Sequence, residues 1–445
     1  MTPPDRLVWT GGAGADLLVR RVHVLDPRAG IDAPHDVRIR DGVIAELAPP
    51  GSLDDDAAEV VEGEGRHLFP GFFDPHVHLR VPGQEHKEDL ESGTRSAAAG
   101  GYVGVVAMPN TSPVVDSASL LRSLRDLAVR MARIPVGFTA AITRDLAGTE
   151  LTEMADLRAA GAVGFTDDGR PVTSAGMLRK AIQYQRLAGG VIALHEEDPT
   201  LSAGGAMREG AVSARMGIAG VPALSESTMV ARDAAIAGHE DGRVHFQHLS
   251  AVASVDALRA GKARGWRLSG EASPHHLCLT DEAVRDLDTS MKMNPPLGFE
   301  EDRQALIEGV RDGTIECIAT DHAPHAPDEK DVPFEQAPMG TTGLESAFAA
   351  VHTELVRPGV LPLATVVERL SAGAGLMELP LPTITVGARA DVCLVDLDRE
   401  WTVGEGGYRS RSRNCCFDGR RLHGRVLMTI ASGVLAHRDR ALDPA

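Results

Sequence analysis

The chain has 445 residues, of which 43% are hydrophobic and only 4% aromatic, and its formal net charge is −18. This length can bury a large core in one large domain plus a small one, and no apolar run reaches the roughly 18 residues that a membrane span needs. Because a chain this acidic repels nucleic acid and anionic lipid, we expect neither as a partner. Any anionic substrate must then be bound by local positive charge.

Short strand patterns occur near both ends of the chain. The strand-like segments are 17–24, 36–40, 43–47, 390–396 and 422–431. Asp41-Gly42 lies between two of them and is a typical hairpin turn. We therefore expect residues 1–66 and 385–445 to fold together as one small β-sandwich domain.

Strand and helix patterns alternate in the middle of the chain. The apolar, strand-like segments there are 68–78, 101–110, 134–142, 161–168, 191–195, 243–248, 266–274 and 314–321. Helical patterns such as residues 119–133 and 152–160 lie between most of them. Eight such units predict an α/β fold, a (β/α)8 TIM-type barrel over residues 67–384. A doubly wound sheet is the alternative, but it usually has fewer strands.

Polar side chains stand where these apolar segments end. The first segment ends at His76 and His78, the fourth at Asp167 and Asp168, the fifth at His195, the sixth at His248 and the eighth at Asp321. In such a barrel the carboxyl ends of the strands form the mouth that holds the active site. We therefore expect these side chains to lie close together.

The histidines and aspartates predict a metal centre. His76 and His78 are two residues apart, so both imidazoles point to one face of a strand. A single pair of this kind is more often two buried, hydrogen-bonded histidines, but further ligand types at separate strand ends favour metal binding. Four histidines and two aspartates suit zinc and are enough for two Zn²⁺ ions that share one carboxylate. Such a site supplies a hydroxide near neutral pH and polarises a carbonyl.

Seven motifs along the chain resemble those of one known family. They are residues 74–80 (DPHVHLR), 108–111 (MPNT), 165–169 (FTDDG), 193–198 (ALHEED), 274–277 (PHHL), 293–296 (MNPP) and 320–325 (TDHAPH). Together they resemble the amidohydrolase superfamily in its dihydroorotase form, of the long bacterial type I. The resemblance extends over residues 16–435. It implies a cyclic amide hydrolase that interconverts N-carbamoyl-L-aspartate and L-dihydroorotate in pyrimidine (UMP) biosynthesis.

The resemblance also implies a role for each candidate site residue. His76 and His78 would hold one ion, His195 and His248 the other, Asp168 would bridge them, and Asp321 would ligate the first ion and act as general acid and base. The implied substrate-binding residues are His78, Arg80, Asn110, Asn294, His325, Met339 and Gly340, the last two through their backbone. The chemistry of the side chains agrees, since an arginine can fork a carboxylate and an asparagine can pair with an imide edge.

Structural interpretations compete with some of these roles. Arg80 could be a surface or capping residue, Asn294 a turn former and His325 an ordinary loop histidine. Asp167 is the rival of Asp168 as the bridging ligand. Successive strand residues face opposite ways, so only one of the two can reach inward, and the resemblance favours Asp168.

Other polar residues near the motifs are interpreted as structural. His275 and His276 would face opposite ways as neighbours in a strand, and His245 would lie on the face opposite to His248. The acidic residues 196–198 fit a helix N-terminus, where the helix dipole stabilises negative charge.

Two other functions compete with the main hypothesis. Relatives that open hydantoins or allantoin usually bridge their metals with a carboxylated lysine on strand four, but no lysine lies between Lys87 and Lys180. Arg80 also favours dihydroorotate over hydantoin as the substrate, because dihydroorotate carries a carboxylate and hydantoin does not. Members without metal ligands act only as scaffolds for aspartate transcarbamoylase, whereas all six ligand positions are filled here.

Cysteine usage bears on the compartment. Cys278, Cys317, Cys393, Cys415 and Cys416 show neither metal-type spacing nor an even number for pairing, which fits a reducing, cytoplasmic environment. We further expect a homodimer, and a complex with aspartate transcarbamoylase is an additional possible partnership.

Overall fold

The computed structural model describes residues 6–54 and 56–442. The strands in this range are β1 (Leu17–Asp26), β2 (Ile31–Arg40), β3 (Val43–Ala48), β4 (Val60–Glu62), β5 (His67–Pro70), β6 (Phe72–Val77), β7 (Tyr102–Ala107), β8 (Val136–Ala140), β9 (Gly164–Phe165), β10 (Val191–Leu194), β11 (Met207–Arg208), β12 (Gly220–Val221), β13 (Val244–Phe246), β14 (Leu268–Ala272), β15 (Cys317–Ile318), β16 (Val392–Thr402), β17 (Arg421–Ala431) and β18 (Val434–Arg438).

Helices connect most of these strands. They are α1 (Leu90–Ala99), α2 (Ala118–Met131), α3 (Met154–Ala159), α4 (Ala175–Ala188), α5 (Pro199–Ser202), α6 (Ala211–Met216), α7 (Leu224–Glu240), α8 (Val252–Ala263), α9 (Pro274–Cys278), α10 (Glu300–Asp312), α11 (Pro327–Lys330), α12 (Ala347–Val351), α13 (Leu363–Ser371) and α14 (Gly373–Leu376). Among the described residues, no helix combines the length and the apolar character needed to cross a membrane.

A parallel sheet forms the barrel. Its strand order is β6-β7-β8-β9-β10-β13-β14-β15, and all neighbouring strands in it are parallel. The first and last strands meet where Val77 pairs with His322, and the His78 N–H donates to the His322 carbonyl at 2.9 Å. The predicted (β/α)8 barrel is confirmed, and the doubly wound alternative is wrong.

The strand predicted over residues 68–78 was wrong as a single element. Its first part is β5, which pairs with β1 and β16 of the second sheet, and its second part is β6 of the barrel. Gly71 separates the two. A Cβ atom built there would lie 2.1 Å from Cγ1 of Val103, so only glycine lets the chain pass between the sheets at this point.

Strands four and eight of the barrel are shorter than predicted. The segments 161–168 and 314–321 reduce to β9 and β15, each of two residues. Both strands stop before the aspartates that follow them. Asp321 itself has a left-handed backbone with φ of +47°, which turns the chain out of the extended conformation.

The second sheet is built from both ends of the chain. Its order is β18-β17-β16-β5-β1-β2-β3, with β4 beside β1. Asp41 and Gly42 form the predicted hairpin turn, and both have the positive φ (49° and 73°) that the tight turn between β2 and β3 requires. The limits 1–66, 67–384 and 385–445 for the domains stay predictions.

One connection reaches from the second sheet to the barrel mouth. We call residues 403–420, between β16 and β17, the crossing segment. Its backbone N–H groups at Arg409 and Ser410 donate to Glu345 at 2.8 and 3.0 Å, and the Asn414 side chain donates to the Ala323 carbonyl at 3.0 Å. This segment therefore connects the second sheet to loops beside the barrel mouth.

Candidate metal centre and substrate cavity

The predicted ligand residues meet at the mouth of the barrel. His76 lies in β6, and the others follow the carboxyl ends of their strands: His78 after β6, Asp168 after β9, His195 after β10, His248 after β13 and Asp321 after β15. All six side chains are buried. Parallel strands bring their carboxyl ends to one side of a barrel, which is why residues so distant in the sequence converge here.

The ligand atoms form two groups that share one carboxylate. His76, His78 and Asp168 make one group, and Asp168, His195 and His248 make the other, with ligand atoms within 4.8 Å of one another in each. Oδ1 of Asp168 lies 3.5 Å from Nε2 of His76 and 3.7 Å from Nδ1 of His195. Oδ2 lies 3.5 Å from Nε2 of His78. One carboxylate therefore faces both groups.

Asp321 stands beside the first group. Its Oδ1 lies 3.1 Å from Nε2 of His78 and 3.5 Å from Nε2 of His76. Burial opposes its ionisation, but the charge of His76 and the hydrogen bond to His78 are stronger and lower the pKa of Asp321 to about 2. The carboxylate is therefore ionised at neutral pH and is able to accept a proton.

Three of the four histidines are oriented by a hydrogen bond on the side away from the ligand groups. The pairs are His76 Nδ1 with Glu271 Oε1 at 2.6 Å, His78 Nδ1 with Asn110 Oδ1 at 3.0 Å and His195 Nε2 with Glu197 Oε2 at 3.1 Å. Each acceptor assigns the proton to that nitrogen. The opposite ring nitrogen faces Asp168, and once deprotonated it is able to bind a metal ion there.

The electrostatics of the cluster suit a cation. Burial opposes ionisation of Asp168, but the charges of His76 and His78 hold its pKa well below the usual range. Burial, helped by the neighbouring charge of His195, lowers the pKa of His248 to about 3, so this ring is neutral and can ligate. Imidazoles beside ionised carboxylates are a donor set that fits divalent transition ions.

Asp167 points away from the ligand groups. Its Oδ1 accepts hydrogen bonds from the backbone N–H groups of Ile142 (2.8 Å) and Thr143 (3.0 Å), which end the neighbouring strand. Burial raises the pKa of Asp167 to about 6. Gly169, with φ of +73°, makes the tight turn directly after Asp168. The structure thus brings Asp168 to the ligand groups and gives Asp167 a structural contact.

A cavity of about 230 Å³ opens beside the ligand groups. The predicted substrate-binding residues line it together with several of the ligands: His78, Arg80, Asn110, Asn294, His325, Met339 and Gly340. These seven residues follow four different barrel strands, β6, β7, β14 and β15, and surround one space large enough for a small ring.

Arg80 brings a positive charge to this cavity. Its Nε donates to the carbonyl of Pro324 at 3.1 Å, and its Nη2 lies 3.5 Å from Nε2 of His325. Within residues 6–54 and 56–442 no carboxylate forms an ion pair with its guanidinium. A guanidinium without a counter-ion in a cavity is suited to bind an anion.

The two asparagines in the cavity wall also hold other site residues. Nδ2 of Asn110 donates to Oδ2 of Asp168 at 3.0 Å, and Nδ2 of Asn294 donates to Oε2 of Glu197 at 2.7 Å. Each amide thus orients a ligand or the partner of a ligand, and both side chains line the cavity.

Some of the backbone groups of Met339 and Gly340 are hydrogen-bonded within the protein. The Gly340 N–H donates to the Lys292 carbonyl at 2.8 Å, and the Met339 carbonyl lies 2.9 Å from Nε2 of His325. In the described part of the chain no acceptor pairs with the Met339 N–H, which leaves this group to the cavity. Gly340 has φ of +132°, and a Cβ there would meet the Cβ of Ala323 at 2.7 Å.

Sequence reasoning missed two acidic residues of the site. Glu271 orients His76, and Glu197 accepts from both His195 and Asn294. Only Asp198 has the predicted role at a helix N-terminus, where it caps α5. Glu271 is the lone charged residue of its strand-like segment after Arg267, and this isolated charge was the signal that could have revealed it.

The remaining histidines near the mouth have structural contacts. His275 and His276 do not lie in a strand as predicted, because Pro274 begins the short helix α9, which Ser273 caps. His276 donates to the Pro295 carbonyl at 2.9 Å. His245 lies 3.0 Å from Glu271 on the inner face of β13, away from the ligand groups.

Comparison with known sequences gives one consistent result. A family described as Dihydro-orotase-like matches residues 65–254. A dihydroorotase of Pelotomaculum thermopropionicum is 45% identical over 96% of this chain and 99% of its own length. A dihydroorotase of Anaeromyxobacter dehalogenans is 44% identical over the same shares.

Solved structures match the fold over nearly the whole chain. The L-hydantoinase of Arthrobacter aurescens has a TM-score of 0.85 at 24% identity and covers 95% of this chain and 96% of its own. The dihydropyrimidinase of Brevibacillus agri has a TM-score of 0.82 at 21% identity, with 96% of each chain covered. At this level of identity the likeness concerns the barrel and the second sheet.

The two neighbouring aspartates provide a matched test of the ligand groups. We expect Asp168→Ala to lose bound metal, because both groups lose their common carboxylate, and Asp167→Ala to keep it. Metal content after loading and gel filtration, with circular dichroism as the control for folding, measures both. Full metal in a folded Asp168→Ala protein, or metal loss confined to Asp167→Ala, would contradict the assignment.

Proposed function

This chain belongs to the dihydroorotase family of cyclic amide hydrolases, and we propose that its cavity interconverts N-carbamoyl-L-aspartate and L-dihydroorotate, a step of de novo pyrimidine (UMP) biosynthesis. One observation supports this substrate above others: the guanidinium of Arg80 lies in the cavity beside the two ligand groups, and no carboxylate of the described residues forms an ion pair with it. Dihydroorotate carries a carboxylate next to a ring amide, so it fits a site that combines a cation with a hydrolytic centre.

The ligand groups are proposed to hold two Zn²⁺ ions. His76, His78 and Asp321 would bind one, His195 and His248 the other, and Asp168 both. The imidazole and carboxylate donors and the orientation of three rings by outer acceptors support zinc. When bound, such ions lower the pKa of water and polarise a carbonyl oxygen.

The substrate is proposed to be held by groups at opposite sides of the cavity. Arg80 and His325, which lie next to each other, bind its carboxylate. The free N–H of Met339 and the amide of Asn294 pair with the ring oxygen and nitrogen atoms. These contacts fix the ring carbonyl over the ligand groups, and correct positioning alone accounts for a large part of such catalysis.

Asp321 is proposed to move the proton. In hydrolysis the oxygen of water attacks the ring carbonyl carbon, and the carbon–nitrogen bond of the amide breaks. Asp321, an ionised carboxylate 3.1 Å from His78, accepts the proton of the attacking water and delivers it to the departing nitrogen. In ring closure the same carboxyl group returns the proton in the opposite order, so one residue serves both directions.

Alternative functions are less well supported. A hydantoinase-type centre with a carboxylated lysine lacks its residue, because strand four is followed by Asp167 and Asp168. A scaffold without metal would not need six buried ligand residues with matched partners. Assay of dihydroorotate hydrolysis with added Zn²⁺, beside hydantoin and allantoin, separates these functions; turnover of hydantoin or allantoin alone would refute the proposal.

The cellular location and the partners of the enzyme are proposed from the sequence. The five cysteines are all free thiols, which supports the proposed cytoplasmic location. The homodimer and the complex with aspartate transcarbamoylase are predictions from the sequence.

Replacement of Arg80 tests the substrate carboxylate. Arg80→Met should lower kcat/KM for dihydroorotate at least tenfold, because charge-assisted hydrogen bonds contribute roughly 1.5–3 kcal/mol and about 1.4 kcal/mol is a factor of ten. Bound metal should be unchanged. Arg285→Met, which removes an exposed arginine paired with Glu282, is the control and should leave kcat/KM at the parent value. Equal kcat/KM in the two variants would show that another group binds the carboxylate.

Replacement of Asp321 tests the proton transfer. Asp321→Asn keeps the shape of the side chain but cannot accept a proton, so the rates of hydrolysis and ring closure should both fall by roughly 100-fold or more. Steady-state rates from both substrates at one pH measure this. The losses of kcat/KM should be equal in the two directions, since the enzyme cannot shift the equilibrium, and a kcat/KM within a few-fold of the parent would contradict the role.

A further inference from the structure

We propose that Asn414 is a positioning residue for substrate binding, an inference that rests on the function proposed above. Asn414 belongs to the crossing segment, residues 403–420, and lies outside the barrel in the sequence. Its side chain is buried at 5% exposure and joins the two loops that carry the substrate-binding residues. It contacts none of the proposed metal ligands.

The side chain of Asn414 uses both functional atoms of its amide on these two loops. Nδ2 donates to the carbonyls of Ala323 at 3.0 Å and Gly340 at 3.1 Å. Oδ1 accepts from the N–H of His325 at 3.0 Å. Two donated hydrogens and one acceptor match the three backbone groups, which no smaller or charged side chain can do in the same place.

The backbone of Asn414 is held by the same loop as well. Its carbonyl accepts from the N–H of Thr342 and from the hydroxyl of Thr341, both at 3.0 Å. The Thr341 hydroxyl in turn accepts from the N–H of Cys416 at 2.8 Å. The crossing segment is therefore attached to residues 340–342 through its side chains and its backbone.

The contacts reach the anion-binding end of the cavity. Ala323 and His325 flank Pro324, whose carbonyl accepts the hydrogen bond from Nε of Arg80. By fixing the residues on both sides of Pro324, Asn414 sets the position of Arg80 and of the His325 ring. By fixing the carbonyl of Gly340, it also restrains the loop that carries Met339. All are substrate contacts in the proposed function.

A nearby residue of the same segment provides a matched control. Ser412 is buried, and its hydroxyl donates to the carbonyl of Lys87 at 2.7 Å, in the loop between β6 and α1. That loop also carries Arg80, but Lys87 does not line the cavity. Ser412→Ala removes one buried hydrogen bond of the crossing segment, as Asn414→Ala removes others, but leaves untouched the hydrogen bonds that Asn414 makes to Ala323, His325 and Gly340. A difference between the variants therefore reports on positioning.

The kinetic test separates binding from chemistry. Asn414→Ala should raise KM for dihydroorotate at least about tenfold, with kcat within about threefold of the parent and bound metal unchanged. Asn414→Asp, which sets a carboxylate against two carbonyls, should raise KM further, whereas Asn414→Ser should fall between the parent and Asn414→Ala. Ser412→Ala should match the parent. A parental KM in a folded Asn414→Ala protein would overturn the proposal, as would an equal rise in Ser412→Ala.

A second measurement does not depend on turnover. Hydrogen–deuterium exchange should become faster in peptides covering residues 322–326 and 339–343 of Asn414→Ala, and stay at the parental rate there in Ser412→Ala. If the parent does not hydrolyse dihydroorotate, the proposed function fails while the exchange rates still decide the positioning role. If Asn414→Ala does not fold, Asn414→Ser takes its place in both measurements, and unchanged exchange in these peptides would overturn the proposal.

Discussion

The burial of charge at the barrel mouth is the constraint on which the rest of the site depends. Asp168 and Asp321 are ionised although buried, and an unmatched buried carboxylate costs several kcal/mol. The histidines around them provide part of the compensation. Their outer nitrogens need acceptors of their own, and Glu271 and Glu197 supply two of these. The network therefore directs the inner ring nitrogens at one small volume, where a divalent ion would complete the charge balance.

The backbone near the ligand residues is conformationally strained. Arg80, His248 and Asp321 have left-handed backbones, with φ of 59°, 30° and 47°. For residues other than glycine this conformation costs of order 1–3 kcal/mol each and persists only where the surroundings enforce it. Here it lets the chain leave an extended strand abruptly, so that the side chain turns into the mouth. The packed barrel, with its apolar core between strands and helices, offsets the strain.

The second sheet is linked to loops of the candidate site. Its connection between β16 and β17 supplies Asn414, which hydrogen-bonds to Ala323, His325 and Gly340. The same segment is attached to the barrel through Glu88, which accepts hydrogen bonds from Ser410 and Arg411 and contacts His322. The C-terminal part of the chain is thereby joined to the loops that carry the proposed substrate contacts.

The sequence by itself determined the alternation of strands and helices, the hairpin at Asp41-Gly42 and the histidines and aspartates at the strand ends. These features are local, because strand periodicity, turn chemistry and the end of an apolar run involve residues that are close in the chain. The tertiary structure alone decided that Glu271 orients His76 and that Asn414 holds His325. These partners lie 195 and 89 residues apart, and only the closing of the barrel and the return of the crossing segment bring their atoms together.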